Sequence, residues 1–170
     1  MPTDRSSRKE SSRTDQDVGT GRETSKERFD EGSEVLEDPW LERVAQWDEM
    51  EADRRIRNGL PIEIATHLQS LLDLSDEEAA HLIGRSRSTY ARYRNAGRTL
   101  GPADSERAVR FAQLLVLAAE TFGSLEDGAA WMQEENYALG GESPLKLAET
   151  DPGARVVRDL LLGLQHGHPV

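Results

Sequence analysis

No cysteine occurs among the 170 residues, which excludes disulfides and thiolate metal sites and suits a reducing compartment. Aromatic residues are scarce, at 5%, so the core is expected to be modest. Long apolar runs are missing too. The longest, Phe111 to Ala119, is interrupted by Gln113 and falls far short of the ~20 residues that cross a bilayer. The first residues lack the apolar stretch of a secretory leader, so a soluble, cytoplasmic protein is expected, with no membrane partner. Strand signals are nearly absent: there is no period-2 run of β-branched residues and no hairpin dipeptide between two such runs. The expected fold is therefore all-α.

What the chain does have is acid, with a formal net charge of −11, and one segment that reverses it. Arg85 to Arg98 (RSRSTYARYRNAGR) holds five arginines and no acid. Setting those five aside leaves 16 of the 21 basic residues against 32 acidic ones, a balance of −16. An acidic protein that concentrates arginine in one helix-sized, tyrosine-interleaved segment is equipped for an anion, and a nucleic-acid backbone and groove fit that size. The bland alternative is a solvated face neutralised by nearby carboxylates such as Asp104, Glu106 and Glu77.

Caps and breakers divide the chain. Residues 1–38 carry almost nothing apolar and read as a disordered tail. An accessory helix is expected over 39–59, opened by Asp38-Pro39, with Trp40, Val44 and Trp47 on one side and a stop near Gly59. Residues 60–123 form the next unit. Pro61 opens a helix with Ile64, Leu68, Leu71 and Leu72 in phase. Ser75 and Glu78 make a capping box, with Leu74 and Ala79 as its hydrophobic staple. That helix buries Ala79, Leu82 and Ile83 and stops at Gly84, where glycine allows a left-handed turn. Ser86 caps the arginine-bearing helix, which runs to about Ala96. A short capped helix, a glycine turn and a basic second helix are the layout of a helix-turn-helix, whose second helix enters the major groove.

On that second helix Tyr90 and Tyr93 are expected to face the core with their hydroxyls at the rim. This turns Arg87, Ser88, Ala91, Arg92 and Asn95 outward, where arginine, serine and asparagine read base edges. Arg85, Arg94 and Arg98 sit nearer the ends, as expected of phosphate contacts. Two copies would place their second helices in successive major grooves, so a homodimer on operator DNA is expected. The helix opened by Pro102 has Ala108, Phe111, Ala112, Leu115, Ala119 and Phe122 in one stripe and Leu114 and Leu117 in a second. It should pack between two layers, one the helix-turn-helix core and the other the C-terminal segment or a second copy of the chain.

Residues 124–170 are helical, acidic (3 basic against 8 acidic residues) and apolar along Val156, Val157, Leu160, Leu161 and Leu164, a composition suited to a protein partner rather than DNA. The Ala138-Leu-Gly-Gly, Ser143-Pro-Leu-Lys-Leu, Gly153 and closing Leu164-Gln-His-Gly segments resemble the toxin-binding domain of Xre/MbcA/ParS-type antitoxins. Upstream, Gly59-Leu-Pro, Gly84 with Ser86 to Tyr90, and the helix from Asp104 to Gly123 resemble that family's Xre-like domain. The resemblance spans about residues 59 to 170. It implies a cognate RES-domain toxin that consumes NAD, blocked at its active-site cleft by the C-terminal domain, and autoregulation through operator DNA. The toxin-binding residues it implies are Leu160, Leu161 and Leu164, either at the interface or under it, with Gln165, His166, Gly167, His168 and Val170. Two departures stand out: Asn136-Tyr137 replaces the family's Asn-Pro, and the chain ends His-Gly-His-Pro-Val.

Two other function classes compete. An enzyme would need His81, His166 or His168 with a carboxylate such as Asp159, but His81 lies on a polar helix side and the other two close the chain. A His-x-His pair without further ligands at defined spacing makes no metal site, and Gly140-Gly141 follows no strand as a phosphate loop would. No catalytic, metal or cofactor residue is assigned. A free-standing helix-turn-helix regulator without a toxin shares the arginine helix but leaves the apolar C-terminal block unexplained.

Overall fold

A computed structural model describes residues 33–36 and 38–167, and statements of absence below refer to these residues. They form ten α-helices and one 3₁₀ turn, with no strand. The all-α expectation holds.

The axis is α7 (Pro102–Phe122). Ala108, Phe111, Ala112, Leu115 and Ala119 are buried on one side of it, and Leu114 is buried on another. Helices α1 (Ser33–Leu36), α2 (Pro39–Ala45), α3 (Glu49–Asn58), α4 (Glu63–Leu71) and α5 (Asp76–Leu82) pack on it, as do α8 (Leu125–Gln133) and α10 (Asp151–Gln165). Helix α6 (Arg87–Asn95) packs on α5, and α9 (Pro144–Leu147) sits between α8 and α10. One cluster of buried residues runs from Leu36 to Leu161. The second apolar side of α7 is thus met within the chain, where Leu117 faces Val44, Trp47 and Leu162.

Two expectations about the N-terminal part are corrected. The stretch read as a tail to residue 38 contains α1, because Leu36 finds a buried place against the core and Val35 packs beside it. The rest of that expectation, residues 1–32, lies outside the described residues. The single accessory helix is two helices: Asp48 takes an extended conformation and its carboxylate accepts the Glu51 amide at 2.7 Å, starting α3 afresh. Asp38 starts α2 in the same way, accepting from the amides of Trp40 and Leu41. Its other oxygen lies 2.6 Å from Nε2 of His67 on α4. Burial would raise the Asp38 carboxyl, but the Leu41 amide, His67 and the Trp40 amide together hold it below its ordinary value.

Several backbone contacts fix how the basic helix is presented. The Leu60 carbonyl accepts from the Leu100 amide at 2.7 Å and the Arg98 carbonyl accepts from the Ile62 amide at 3.0 Å, so the segments before α4 and after α6 are stitched together. Buried Ser105 completes the joint, accepting from the Leu60 amide at 2.9 Å. Gly59 has φ 79°, and a Cβ there would stand 2.5 Å from the Leu100 carbonyl oxygen, so only glycine passes.

The C-terminal helices meet as closely. A Cβ on Gly153, in the first turn of α10, would lie 1.9 Å from the Leu147 carbonyl oxygen at the end of α9. Gly153→Ala is expected to force α10 off α9 and cost about 3 kcal/mol, read as a fall in the midpoint of urea unfolding. A midpoint equal to that of the unaltered chain would contradict this packing.

Candidate nucleic-acid and protein interfaces

The capping box and the glycine turn build the first site. Ser75 Oγ accepts from the Glu78 amide at 3.2 Å, and the Glu78 carboxylate accepts from the Ser75 amide at 2.8 Å. At the far end of α5 the Gly84 amide reaches the His81 carbonyl and the Arg85 amide reaches the Ala80 carbonyl, both at 2.8 Å. That is a Schellman ending, with Gly84 at φ 71°. Ser86 then caps α6, its Oγ accepting from the Thr89 amide. Tyr90 on α6 is fully buried, and its hydroxyl donates to Gln69 Oε1 of α4 at 2.6 Å. The helix is therefore anchored by one aromatic ring on a polar tether. Tyr93 is half-buried, with the guanidinium groups of Arg92 and Arg98 about 6 Å from its ring centre, at 5.9 and 6.0 Å.

The expected DNA-facing residues, Arg85, Arg87, Ser88, Arg92, Arg94, Asn95 and Arg98, are all exposed on or beside this helix. The arginines are not equivalent. Arg85 donates from Nε to Asp104 Oδ2 at 2.8 Å. Arg94 makes a two-pronged pair with Asp76, at 2.6 and 3.0 Å. Arg94 and Gln69 hold the Asp76 carboxyl well below the usual carboxylate range, at about 2. Because that shift is downward, the pair's contribution is complete above the ordinary carboxylate range and fades only as pH falls through about 2. Arg87, Arg92 and Arg98 make no ion pair with a described residue. Ser88 Oγ lies 3.2 Å from the capping Ser86 Oγ.

Of the carboxylates placed near the cluster from sequence, Asp104 pairs as anticipated. Glu106 turns to Arg110 on the next turn of α7, and Glu77 makes no ion pair with a described residue. Asp76 was missed. Its partner is 18 residues away, and only the crossing of α5 over α6 brings the two together.

The second site is the end of α10. Thr150 caps this helix, and Arg110 steadies the corner before it, donating to the carbonyls of Ala148 and Glu149 at 3.2 Å each. Across the same corner His81 Nε2 lies 3.2 Å from a Glu149 carboxylate oxygen. Val157, Leu160 and Leu161 are buried in the intramolecular core. Leu160 and Leu161, expected at the toxin interface or under it, lie beneath the surface because α10 closes on α7 through them. Val156, expected on the apolar face, is 49% exposed instead. Leu164 shares the buried face by helical phase but extends past the body and is 41% exposed, followed by exposed Gln165, His166 and Gly167. His168 and Val170 lie outside the described residues. Tyr137, which stands where proline was expected, is fully exposed in the 3₁₀ turn Tyr137–Leu139.

No described group of three or more His, Asp or Glu residues is arranged to hold a metal ion. No single described helix is long and apolar enough to cross a membrane.

Comparison with known proteins matches both halves. The family model of the antitoxin Xre-like helix-turn-helix domain matches residues 51–113, and that of the antitoxin Xre/MbcA/ParS C-terminal toxin-binding domain matches residues 117–167. The chain is similar to the antitoxin Xre of Yersinia enterocolitica serotype O:8, 29% identical over 113 residues, covering 66% of this chain and 76% of the relative. It is likewise similar to the antitoxin Xre of Photorhabdus laumondii subsp. laumondii, 29% identical over 114 residues with the same coverage.

Proposed function

Because the chain belongs to the Xre/MbcA/ParS-type antitoxins of toxin–antitoxin pairs, we propose that it neutralises a RES-domain, NAD-consuming toxin by covering that toxin's active-site cleft with the end of α10 and the residues after it. We further propose that α6 binds operator DNA, so that the protein represses its own transcription in the cytoplasm.

The observation that carries the first part is the division within α10. Its middle is anchored by Val157, Leu160 and Leu161, whereas Leu164 to Gly167 emerge exposed from the body. A rigid helix whose last turn projects an apolar side chain is a pre-organised plug, since little ordering entropy remains to be lost on binding. Contact with the toxin belongs to Leu164, Gln165, His166, Gly167, His168 and Val170, with Leu160 and Leu161 supporting them from beneath. The acidic groups Glu149, Asp151 and Asp159 complement the cations that a cleft for NAD phosphates would present. Asp151 already has an intrahelical partner in Arg155, which leaves Asp159 as the freer of the two on α10.

For DNA, the support is the set of exposed arginines on one helix that follows a tight glycine turn. Two copies would bind an inverted repeat with half-sites about one turn, ~34 Å, apart. Arg87, Arg92, Ser88 and Asn95 face base edges, and Arg98 a phosphate.

The plug is tested by Leu164→Asp, an exposed substitution that leaves the core untouched. It is expected to weaken inhibition of the toxin's NAD consumption by about 10- to 100-fold with an unchanged unfolding midpoint. Unweakened inhibition would contradict the plug.

A further inference from the structure

Arg94 differs from the other cations of α6 in how it is held. Both oxygens of Asp76 receive its guanidinium, at 2.6 and 3.0 Å. Asp76 Oδ1 also accepts from Gln69 Nε2 at 2.9 Å, and the same Gln69 nitrogen donates to the Leu74 carbonyl at 3.1 Å. The other end of the Gln69 amide accepts from the Tyr90 hydroxyl at 2.6 Å. The Arg94 guanidinium lies 5.5 Å from the centre of the Tyr90 ring. A closed circuit therefore links Tyr90, Gln69, Asp76 and Arg94 through three helices, α4, α5 and α6. Its inner end is a fully buried ring and its outer end is a cation whose side chain is 39% exposed.

Guanidinium carries five N–H donors in a planar fork. The carboxylate engages two nitrogens on one edge, and the remaining donors point away from it. An arginine buttressed on one edge presents the rest of its fork at a fixed place, whereas Arg92 has no carboxylate among the described residues to fix its fork and only the Tyr93 ring beside it. The pair also carries no net charge, so it contributes little to counterion release.

On this basis, and resting on the DNA-binding reading above, we infer that Asp76 is a positioning residue for DNA recognition. With Gln69 it locks Arg94 in register with the buried foot of α6, so that Arg94 fixes the helix's orientation on one phosphate and adds geometry rather than raw electrostatic affinity. Asp76 thereby trades nonspecific attraction for discrimination: its negative charge lowers affinity for any duplex, and the fixed fork rewards only the correctly docked one.

The test measures binding of the full-length chain to two duplexes across a salt series. One is the DNA upstream of its own reading frame, and the other is a mixed-sequence duplex of equal length. Asp76→Asn removes the charge and keeps the side chain's size. It is expected to raise affinity for the mixed duplex several-fold and to steepen the slope of log K against log salt by about one. The preference for the upstream duplex over the mixed one is expected to fall about tenfold. In an Arg94→Gln background the Asp76→Asn change is still expected to raise affinity for both duplexes, since a carboxylate is removed, but to leave the preference between them unchanged, since that effect runs through Arg94. Thermal unfolding of each variant confirms that the fold is retained.

A purely structural Asp76 would move both affinities together and would act equally with or without Arg94. That pattern, or an unchanged slope and preference in Asp76→Asn, overturns the inference while leaving DNA binding intact. If the unaltered chain shows no salt-dependent binding to either duplex, the DNA-binding reading fails and the inference falls with it.

Discussion

With Arg87, Arg92 and Arg98 all replaced by glutamine, the slope of log K against log salt for DNA binding is expected to flatten by about three, and affinity at low salt to fall on the order of 10³-fold. These three arginines are exposed and make no ion pair with a described residue, so each is available to displace counterions. Arg85 and Arg94 are already engaged by Asp104 and Asp76. Arg85→Gln is therefore expected to change the slope by well under one. Gel-shift or anisotropy titrations over a salt series read both effects. Equal loss on removing Arg85 and Arg92 would mean that the ion pairs open on DNA and that charge count alone governs binding.

Removing Gln165 to Val170 has the second large effect. The chain that ends at Leu164 is expected to lose neutralisation of its toxin, by 100-fold or more in inhibitory concentration, while its unfolding midpoint stays within experimental error. The described part of the segment, Gln165 to Gly167, is exposed, and the buried residues that hold α10 to α7, Ala154, Val157, Leu160 and Leu161, all precede it. Its loss is therefore expected to remove the proposed toxin contact without disturbing the body. Undiminished inhibition by the shortened chain would move the toxin-binding surface elsewhere, and the exposed Tyr137 turn would be the first place to look.

Much of this architecture was legible in the sequence because it is written locally. The Ser75–Glu78 box, the Gly84 ending, the Ser86 cap and the proline starts of α2, α7 and α10 each depend on residues within about one helical turn of one another. Tyr90 was placed inward by helical phase alone, and it is fully buried. What was not legible depends on contacts between segments far apart. Asp76 and Arg94 meet only because α5 and α6 cross at the angle set by Gly84. Leu160 and Leu161 share an apolar face with Leu164, and periodicity cannot say where along a helix the core stops; the packing of distant segments decides that. The break between α2 and α3 was hidden because Asp48 lies in a charged run, where a cap looks like any other acid.

The Arg110 corner has a consequence for dissecting the molecule. Because α8 and α10 are both packed on α7, and one buried cluster runs from Leu36 to Leu161, the toxin-binding half shares its core with the helix-turn-helix. Function is best tested in the whole chain, by point substitution or by trimming the exposed end.

The most direct measurement is co-expression of the full chain with the reading frame beside its own, following growth and cellular NAD. The account predicts that the neighbour alone arrests growth as NAD falls and that the full chain restores both. A neighbour that arrests growth with NAD unchanged, or one whose arrest the full chain does not relieve, would contradict it.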